Sequence, residues 1–252
     1  MSSDTLFFVH IPKTAGTSFR FAAEAAFGAE QVIYDYGPSS HKTHAGIQQH
    51  LYEPQSLGQW GCNHPLVLQA DFTRVNAWIA AQDMRVFGGH CVAHKYQHLF
   101  KPEKMVTFMR DPVDRVVSFY HHHVRQLGYE GSLREFAAER RFSNVQSFYT
   151  RSTPVADFGF VGITERYQES VQLFNATFNT RLPILGMNQK PAAQRDQLDA
   201  DTAAWIRQHN AEDAQRYHEA LQCFDERLRH VDPPPASGLR QFAHRVWHSV
   251  AR

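Results

Sequence analysis

Residues Leu6–Arg20 read LFFVHIPKTAGTSFR, and the fold class turns on how the two halves of that stretch differ. Thr5 to Val9 is a short apolar run rich in β-formers, whereas Thr17 to Phe27 spaces its apolar residues as a helix does, so the stretch reads as strand, loop, helix. The loop, His10-Ile11-Pro12-Lys13-Thr14-Ala15-Gly16-Thr17-Ser18, sets a cation, a glycine and three hydroxyls where the helix begins. A helix N-terminus offers unpaired N–H groups and a partial positive charge, which suits phosphate or a group shaped like it. The ordinary nucleotide triphosphate loop, G-x-x-x-x-G-K-[ST], has its Lys after the second glycine; here Lys13 precedes the only glycine of the loop, Gly16. A helix cap without function is the competing reading of so short a motif.

Outward from this stretch, strands and helices alternate. Gln31 to Tyr36 reads as a strand closed by Gly37-Pro38-Ser39-Ser40, and His41 to Pro65 as a His-rich loop or short helical excursion. A helix capped by Asp71 is expected to Gln82, then a strand from Met84 to Phe87 ending at Gly88-Gly89. Lys104 to Met109 is a further strand, and Asp111-Pro112 opens a helix over Val113 to Gln126. Two short helices, Ser132 to Arg141 and Ser143 to Thr150, precede a strand from Phe158 to Ile163. Thr164 should cap a helix from Glu165 to Phe174, Leu182 to Leu185 could be a last strand, and Asp201 to His209 and Glu212 to His230 read as helices. Pro233-Pro234-Pro235 closes a single domain of residues 1–232 and leads to an amphipathic helix, Leu239 to Val250. The alternation predicts an α/β fold of three layers with a mainly parallel central sheet and a ligand beyond the C-terminal strand ends.

Two more stretches carry chemistry. VTFMRDPVDRVVSFY, Val106 to Tyr120, delivers Arg110 to a strand end and Ser118 about two turns along the next helix. Arg suits phosphate because its planar fork reaches two oxygens at once. Asp111, placed just before Pro112, reads as a helix cap rather than a magnesium ligand. In VFGGH, Val86 to His90, paired glycines follow a strand and bring His90 to the same edge; a neutral His is suited to take a proton near pH 7. His90, His94 and His98 are also four apart, which on a helix would make a metal ladder; no carboxylate or second cysteine stands at ligand spacing, so this is the weaker reading. His121-His122-His123 read as a partly solvated helix face.

HIPKTAGTS, together with the R-x-P-x-x-R-x-x-S pattern of Arg110, Pro112, Arg115 and Ser118, resembles the sulfotransferases that use 3′-phosphoadenosine 5′-phosphosulfate (PAPS), in particular the heparan sulfate 2-O-sulfotransferase branch. The resemblance implies a P-loop-like sulfotransferase fold, PAPS as donor, PAP as product and no metal. It further implies that Lys13, Thr14, Ala15, Gly16, Thr17 and Ser18 hold the 5′-phosphosulfate, with Lys13 at the leaving oxygen, and that Arg110 and Ser118 hold the 3′-phosphate. By the same resemblance His90 is the base, Phe160 to Arg166 lies beside the nucleotide, and Asn188 with Lys190 belongs to a loop that closes over it. The acceptor is then a hydroxyl of a carbohydrate or other small polar molecule, which nothing between Gln31 and Gln82 identifies. Two rival readings stay open: an atypical phosphotransferase using ATP and magnesium, and a non-catalytic nucleotide- or glycan-binding module on the same fold.

Composition narrows the rest. A formal net charge of +1 gives no general drive toward nucleic acid or anionic membrane, so anion binding must be local. Three cysteines without a C-x-x-C pair argue against a disulfide framework and for a reducing compartment. No stretch reads as a signal peptide or a membrane span, so the expectation is a cytoplasmic protein, although a Golgi protein relieved of its anchor would read the same. The final basic helix is expected to pack on the core rather than touch a membrane.

Overall fold

The computed structural model describes residues 4–185 and 198–230. The elements are β1 (Leu6–Val9), α1 (Gly16–Phe27), β2 (Val32–Asp35), α2 (Ala45–Ile47), α3 (Pro65–Leu68), α4 (Thr73–Ala81), β3 (Val86–Gly89), β4 (Met105–Met109), α5 (Pro112–Leu127), α6 (Leu133–Ala138), α7 (Val145–Thr150), β5 (Phe160–Ile163), α8 (Tyr167–Phe178), α9 (Ala200–His209) and α10 (Ala211–Arg229). A π-helical turn, Gln48–Tyr52, extends α2, so the His-rich excursion is partly helical.

The strands form one parallel sheet in the order β2-β3-β1-β4-β5. Phe7 lies opposite both Phe87 and Met105, and Val9 opposite Gly89 and Thr107. Every strand residue is buried, the polar Asp35 and Thr107 included, as it must be where both faces of the sheet are covered. Interlocked rings fill the core: Phe8, Phe19, Phe108, Phe160 and Phe174 form one chain of contacts, and Phe7, Phe87, Tyr96 and Phe100 another. A second apolar cluster, Val113, Val116, Phe136, Phe142 and Ile206, joins α5 and α6 to α9.

From β1 the chain leaves toward β2, and from β4 it leaves toward β5 on the other side. Loops that diverge from neighbouring parallel strands open a crevice at the strands' carboxyl ends, where such sheets bind ligands. In this sheet the point of divergence lies between the loop after Val9 and the loop after Met109.

Several sequence expectations are corrected. Helix α4 starts at Thr73 with Phe72 as its N-cap, so Asp71, the expected cap, stands one residue further out and accepts the Thr73 N–H at 2.8 Å from there. Gly88 and Gly89 do not follow β3 but end it: a Cβ on Gly88 would lie 2.8 Å from that of Phe8, and one on Gly89 1.9 Å from the Asp35 carbonyl oxygen. Thr164 caps no helix; its hydroxyl donates to the Met109 carbonyl, and α8 begins three residues later. Leu182 to Leu185 is not a strand, because the side chain of Asn175 takes both Leu182 N–H (2.7 Å) and Leu182 C=O (3.0 Å), the groups a neighbouring strand would need. The C-terminal helix expected over Leu239 to Val250, Asn188 and Lys190 lie outside the described residues.

Candidate active site

The loop after β1 holds its shape through backbone that most residues avoid. Lys13 has φ 71° and Ala15 φ 63°, two left-handed positions that cost a non-glycine residue on the order of 1–3 kcal/mol each. Alternation of this kind turns successive N–H groups inward and makes an anion-binding concavity. Ala15 is the N-cap of α1 and offers no side-chain acceptor, so the first amides of the helix are not closed by their own cap. Thr14 is buried and donates to the Ile11 carbonyl at 2.9 Å, which fastens the loop from within. Ser18 is buried on the first turn of α1, and Thr17 beside it is exposed.

Gly16 is required by contact, not by φ. The imidazole of His10 lies where a Cβ would stand, 1.8 Å from its Nε2. Gly16→Ala is therefore expected to displace the His10 ring at a cost of about 1–3 kcal/mol, seen as a lower urea midpoint; an unchanged midpoint would show that the ring moves aside freely.

His90 follows β3 and reaches back to β1, where its Nδ1 lies 2.8 Å from the His10 carbonyl oxygen. A carbonyl only accepts, so Nδ1 carries the hydrogen and Nε2 keeps its lone pair. Burial pulls the His90 pKa down to about 4, outweighing the raising effect of that hydrogen bond, so the ring is neutral at pH 7. The His10 and His90 rings sit 4.4 Å apart, and Tyr36 meets both, its hydroxyl 2.9 Å from His10 Nδ1. His10 is held well below its usual pKa, first by burial and then by His90 and neighbouring cations. Asn63 clamps the segment, donating to the His90 carbonyl at 2.8 Å and accepting from Val92 N–H at 2.9 Å.

Across the crevice Arg110 bridges the two loops. Its guanidinium donates to the Lys13 carbonyl at 3.3 Å and lies 3.6 Å from a Glu165 carboxylate oxygen. Gln146 fixes its backbone, accepting from Arg110 N–H (2.8 Å) and donating to Arg110 C=O (2.9 Å). Ser118 lies half-buried on α5. Asp111 caps α5 through Val113 N–H and Asp114 N–H, as its place before Pro112 implies.

Arg115 behaves neither as a phosphate ligand nor as a surface charge paired with Asp111. It is fully buried, 3.6 Å from Asp213 on α10, and donates to the Phe142 carbonyl at 2.8 Å. Asp213 also accepts from Gln146 N–H and Ser147 N–H, so the Arg115–Asp213 pair supports Gln146, and Gln146 in turn supports Arg110. The histidine ladder does not form: the backbone at Ala93–Tyr96 is a 3₁₀ turn, His94 lies 3.4 Å from Arg151, and His98 is exposed. His121, His122 and His123 are half-buried, as a partly solvated helix face implies, and the inner side of the His123 ring packs on Phe119, Phe136 and Phe142.

Sequence reasoning missed Tyr36, Asn63, Gln146, Glu165 as partner of Arg110, and a buried group around Asp35. Asp35 ends β2 and accepts from Lys95 Nζ (2.7 Å), Tyr52 Oη (2.8 Å), Tyr96 Oη (2.8 Å) and Gly37 N–H (3.0 Å). The only advance signal was position, an Asp at the end of a β-rich run facing the same edge as His90. A cleft of about 410 Å³ lies at the start of α5, lined by Asp111, Asp114, Glu165, Arg207 and Tyr217 among others. Burial raises the Glu165 pKa against the lowering pull of Tyr217 and Arg110.

A family model described as the sulfotransferase domain matches residues 35–158, just under half of the chain. This supports the sulfotransferase family, and the matched residues contain His90, Arg110 and Ser118, while the loop from Lys13 to Ser18 lies ahead of them. The crystal structure of a sulfotransferase from Alicyclobacillus acidocaldarius is similar at 15% identity and a TM-score of 0.48, over 88% of this chain and 97% of that one. Comparison with curated proteins finds no match. Among the described residues no helix is long and apolar enough to cross a membrane.

Proposed function

We propose that the protein transfers a sulfuryl group from PAPS to a hydroxyl of a carbohydrate or other small polar acceptor, with His90 as general base. The observation that carries this reading is the His90 Nδ1 to His10 carbonyl bond, which leaves a neutral ring with a free Nε2 beside an anion-shaped loop. In the proposed step the acceptor oxygen attacks sulfur as its proton passes to His90 Nε2, and the bond from sulfur to the phosphate oxygen breaks. The loop amides of Thr14 to Ser18 hold the 5′-phosphosulfate and Lys13 stabilises the charge that collects on the leaving oxygen. Arg110 and Ser118 take the 3′-phosphate. Lys190 belongs to this proposal only through the family resemblance. Glu165 already faces Arg110, so a phosphate there shares the guanidinium with a carboxylate.

The nucleotide assignment is tested by titrating PAP and AMP, which differ by the 3′-phosphate, in a calorimeter. One charge-assisted contact contributes about 1.5–3 kcal/mol, so PAP should bind roughly tenfold to a hundredfold more tightly. Arg110→Ala should bring PAP down toward AMP and leave AMP little changed, and Arg110→Lys should recover only part, lacking the fork. Equal affinity of wild type for both nucleotides would remove PAPS as donor.

A further inference from the structure

The three cysteines are free, yet two of them, 29 residues apart in sequence, meet at the edge of the sheet: Cys62 Sγ and Cys91 Sγ are 3.2 Å apart. Cys91 directly follows His90, and Cys62 directly precedes Asn63, the residue that clamps the His90 carbonyl. The Lys95 ammonium donates to Cys62 Sγ at 3.2 Å, and the Cys91 thiol donates to the Asp35 carbonyl at 3.2 Å. Cys62 keeps 8% of its surface exposed and Cys91 none, so an oxidant reaches Cys62 first.

We infer that Cys62 and Cys91 form a reversible disulfide, a two-electron redox site that sets the position of His90. With hydrogen peroxide as oxidant, Cys62 sulfur attacks one peroxide oxygen, the O–O bond breaks, and Cys62 becomes a sulfenic acid while the other oxygen leaves as water with the thiol proton. Lys95 places a positive charge beside the attacking sulfur. Cys91 sulfur then attacks Cys62 sulfur, the S–O bond breaks, and a second water carries off the Cys91 proton. Two thiols are oxidised by two electrons and one hydrogen peroxide is reduced to two waters. A dithiol reductant reverses the step.

Closing the gap from 3.2 Å to the roughly 2.05 Å of a disulfide brings the two sulfurs about 1 Å closer, a movement shared between side-chain torsion and the backbone on which His90 directly precedes Cys91. A misplacement of about 1 Å at a reacting group costs on the order of a hundredfold in rate, so even the part passed on to His90 is expected to cost about tenfold or more. The same place puts Asp35, Cys62 and Cys91 ligand atoms within 4.8 Å of one another, a metal-like arrangement. Lys95 already fills it as the cation, donating to Asp35, Tyr52 and both the carbonyl and sulfur of Cys62, so the redox reading is preferred.

The test treats the full chain with hydrogen peroxide or oxidised glutathione and maps its peptides without reduction. The expected result is a Cys62–Cys91 linked peptide and a fall of tenfold or more in PAP release from PAPS with an oligosaccharide mixture as acceptor, both undone by dithiothreitol. Cys62→Ala and Cys91→Ala should lose the response, and Cys223→Ser should keep it. The effect on turnover rests on the proposed role of His90, whereas the cross-link does not: reduced protein that releases no PAP defeats the sulfotransferase reading and leaves the linked peptide to decide this one. Thiols that stay free while Cys223 oxidises, a link from Cys62 to Lys95, thiols that react only after a chelator, or a cross-link without change in turnover would each overturn the inference.

Discussion

Lys95→Met is expected to destabilise the protein by about 3–5 kcal/mol, the cost of leaving one member of a buried ion pair without the other. Lys95 and Asp35 side chains are both fully buried, at 2.7 Å. Burial alone would lower the Lys95 pKa, but Asp35 and the two thiols outweigh it and hold the ammonium charged. For Asp35 burial is again the largest influence, pushing the carboxyl up, and Lys95 with two hydrogen bonds from side chains brings it below its ordinary value. The sign of the pH dependence follows. In the wild type a depressed carboxyl stabilises above about pH 4 and loses that contribution only as pH falls through its folded pKa. In Lys95→Met burial acts unopposed by the ammonium, Asp35 rises above its unfolded pKa, and stability should fall as pH rises from about 4. Urea titrations at pH 5 and pH 8 check this: the deficit should be larger at pH 8, and adding Asp35→Asn should recover much of it. A variant equally stable at both pH values, or within about 1 kcal/mol of wild type, would mean that the hydroxyls of Tyr52 and Tyr96 suffice for the carboxylate.

The second large effect is catalytic. His90→Ala should lower turnover by about 10²–10⁴-fold, the usual contribution of a general base, and leave PAP binding nearly unchanged. With a pKa of about 4, the wild-type rate should be flat between pH 6 and 8 and fall only in acid. The acid limb has to be separated from unfolding, because His10 and His90 are both lowered: below about 6.5 the unfolded chain gains protons that the folded one refuses. Stability then falls with falling pH by up to about 1.4 kcal/mol per pH unit for each ring until its folded pKa is reached. Circular dichroism over the same range makes the separation. A rate that climbs between pH 6 and 7 as for an exposed histidine would show that burial does not set the protonation of His90, and full activity in His90→Ala would remove the base from the mechanism.

Local chemistry made much of this legible before any coordinates. The strand, loop and helix of Leu6–Arg20 stand as read, as does the Asp111-Pro112 start of α5, because a cap and a fixed φ act over a few residues. The alternation of strands with helices announced a parallel sheet, because parallel strands need a crossover between them and a helix supplies it. What escaped was long-range. Arg115 matched a motif and turned out to be a buried prop, since no spacing rule can show that Asp213, almost a hundred residues on, lies beside it. Asn175 consumed the hydrogen bonds that Leu182 would need as a strand, which only tertiary placement decides. Cys62 and Cys91 read as unrelated because cysteine arithmetic looks for close spacing, and strands bring together what sequence keeps apart.

The position of β1 at the centre of the sheet, between β3 and β4, bears on how the protein comes into being. Its first loop meets the other parts of the site only through partners far down the chain: the His10 carbonyl waits for His90, 80 residues on, and the Lys13 carbonyl for Arg110, 97 residues on. Closing such separations costs chain entropy before any contact repays it, which makes parallel pairing of distant strands a slow event. During synthesis the loop after β1 therefore emerges early and stays without its distant partners until residues beyond 110 have left the ribosome and paired. If the loop takes the nucleotide as proposed, its binding in a refolding experiment should mark finished sheet assembly, not early helix formation in α1.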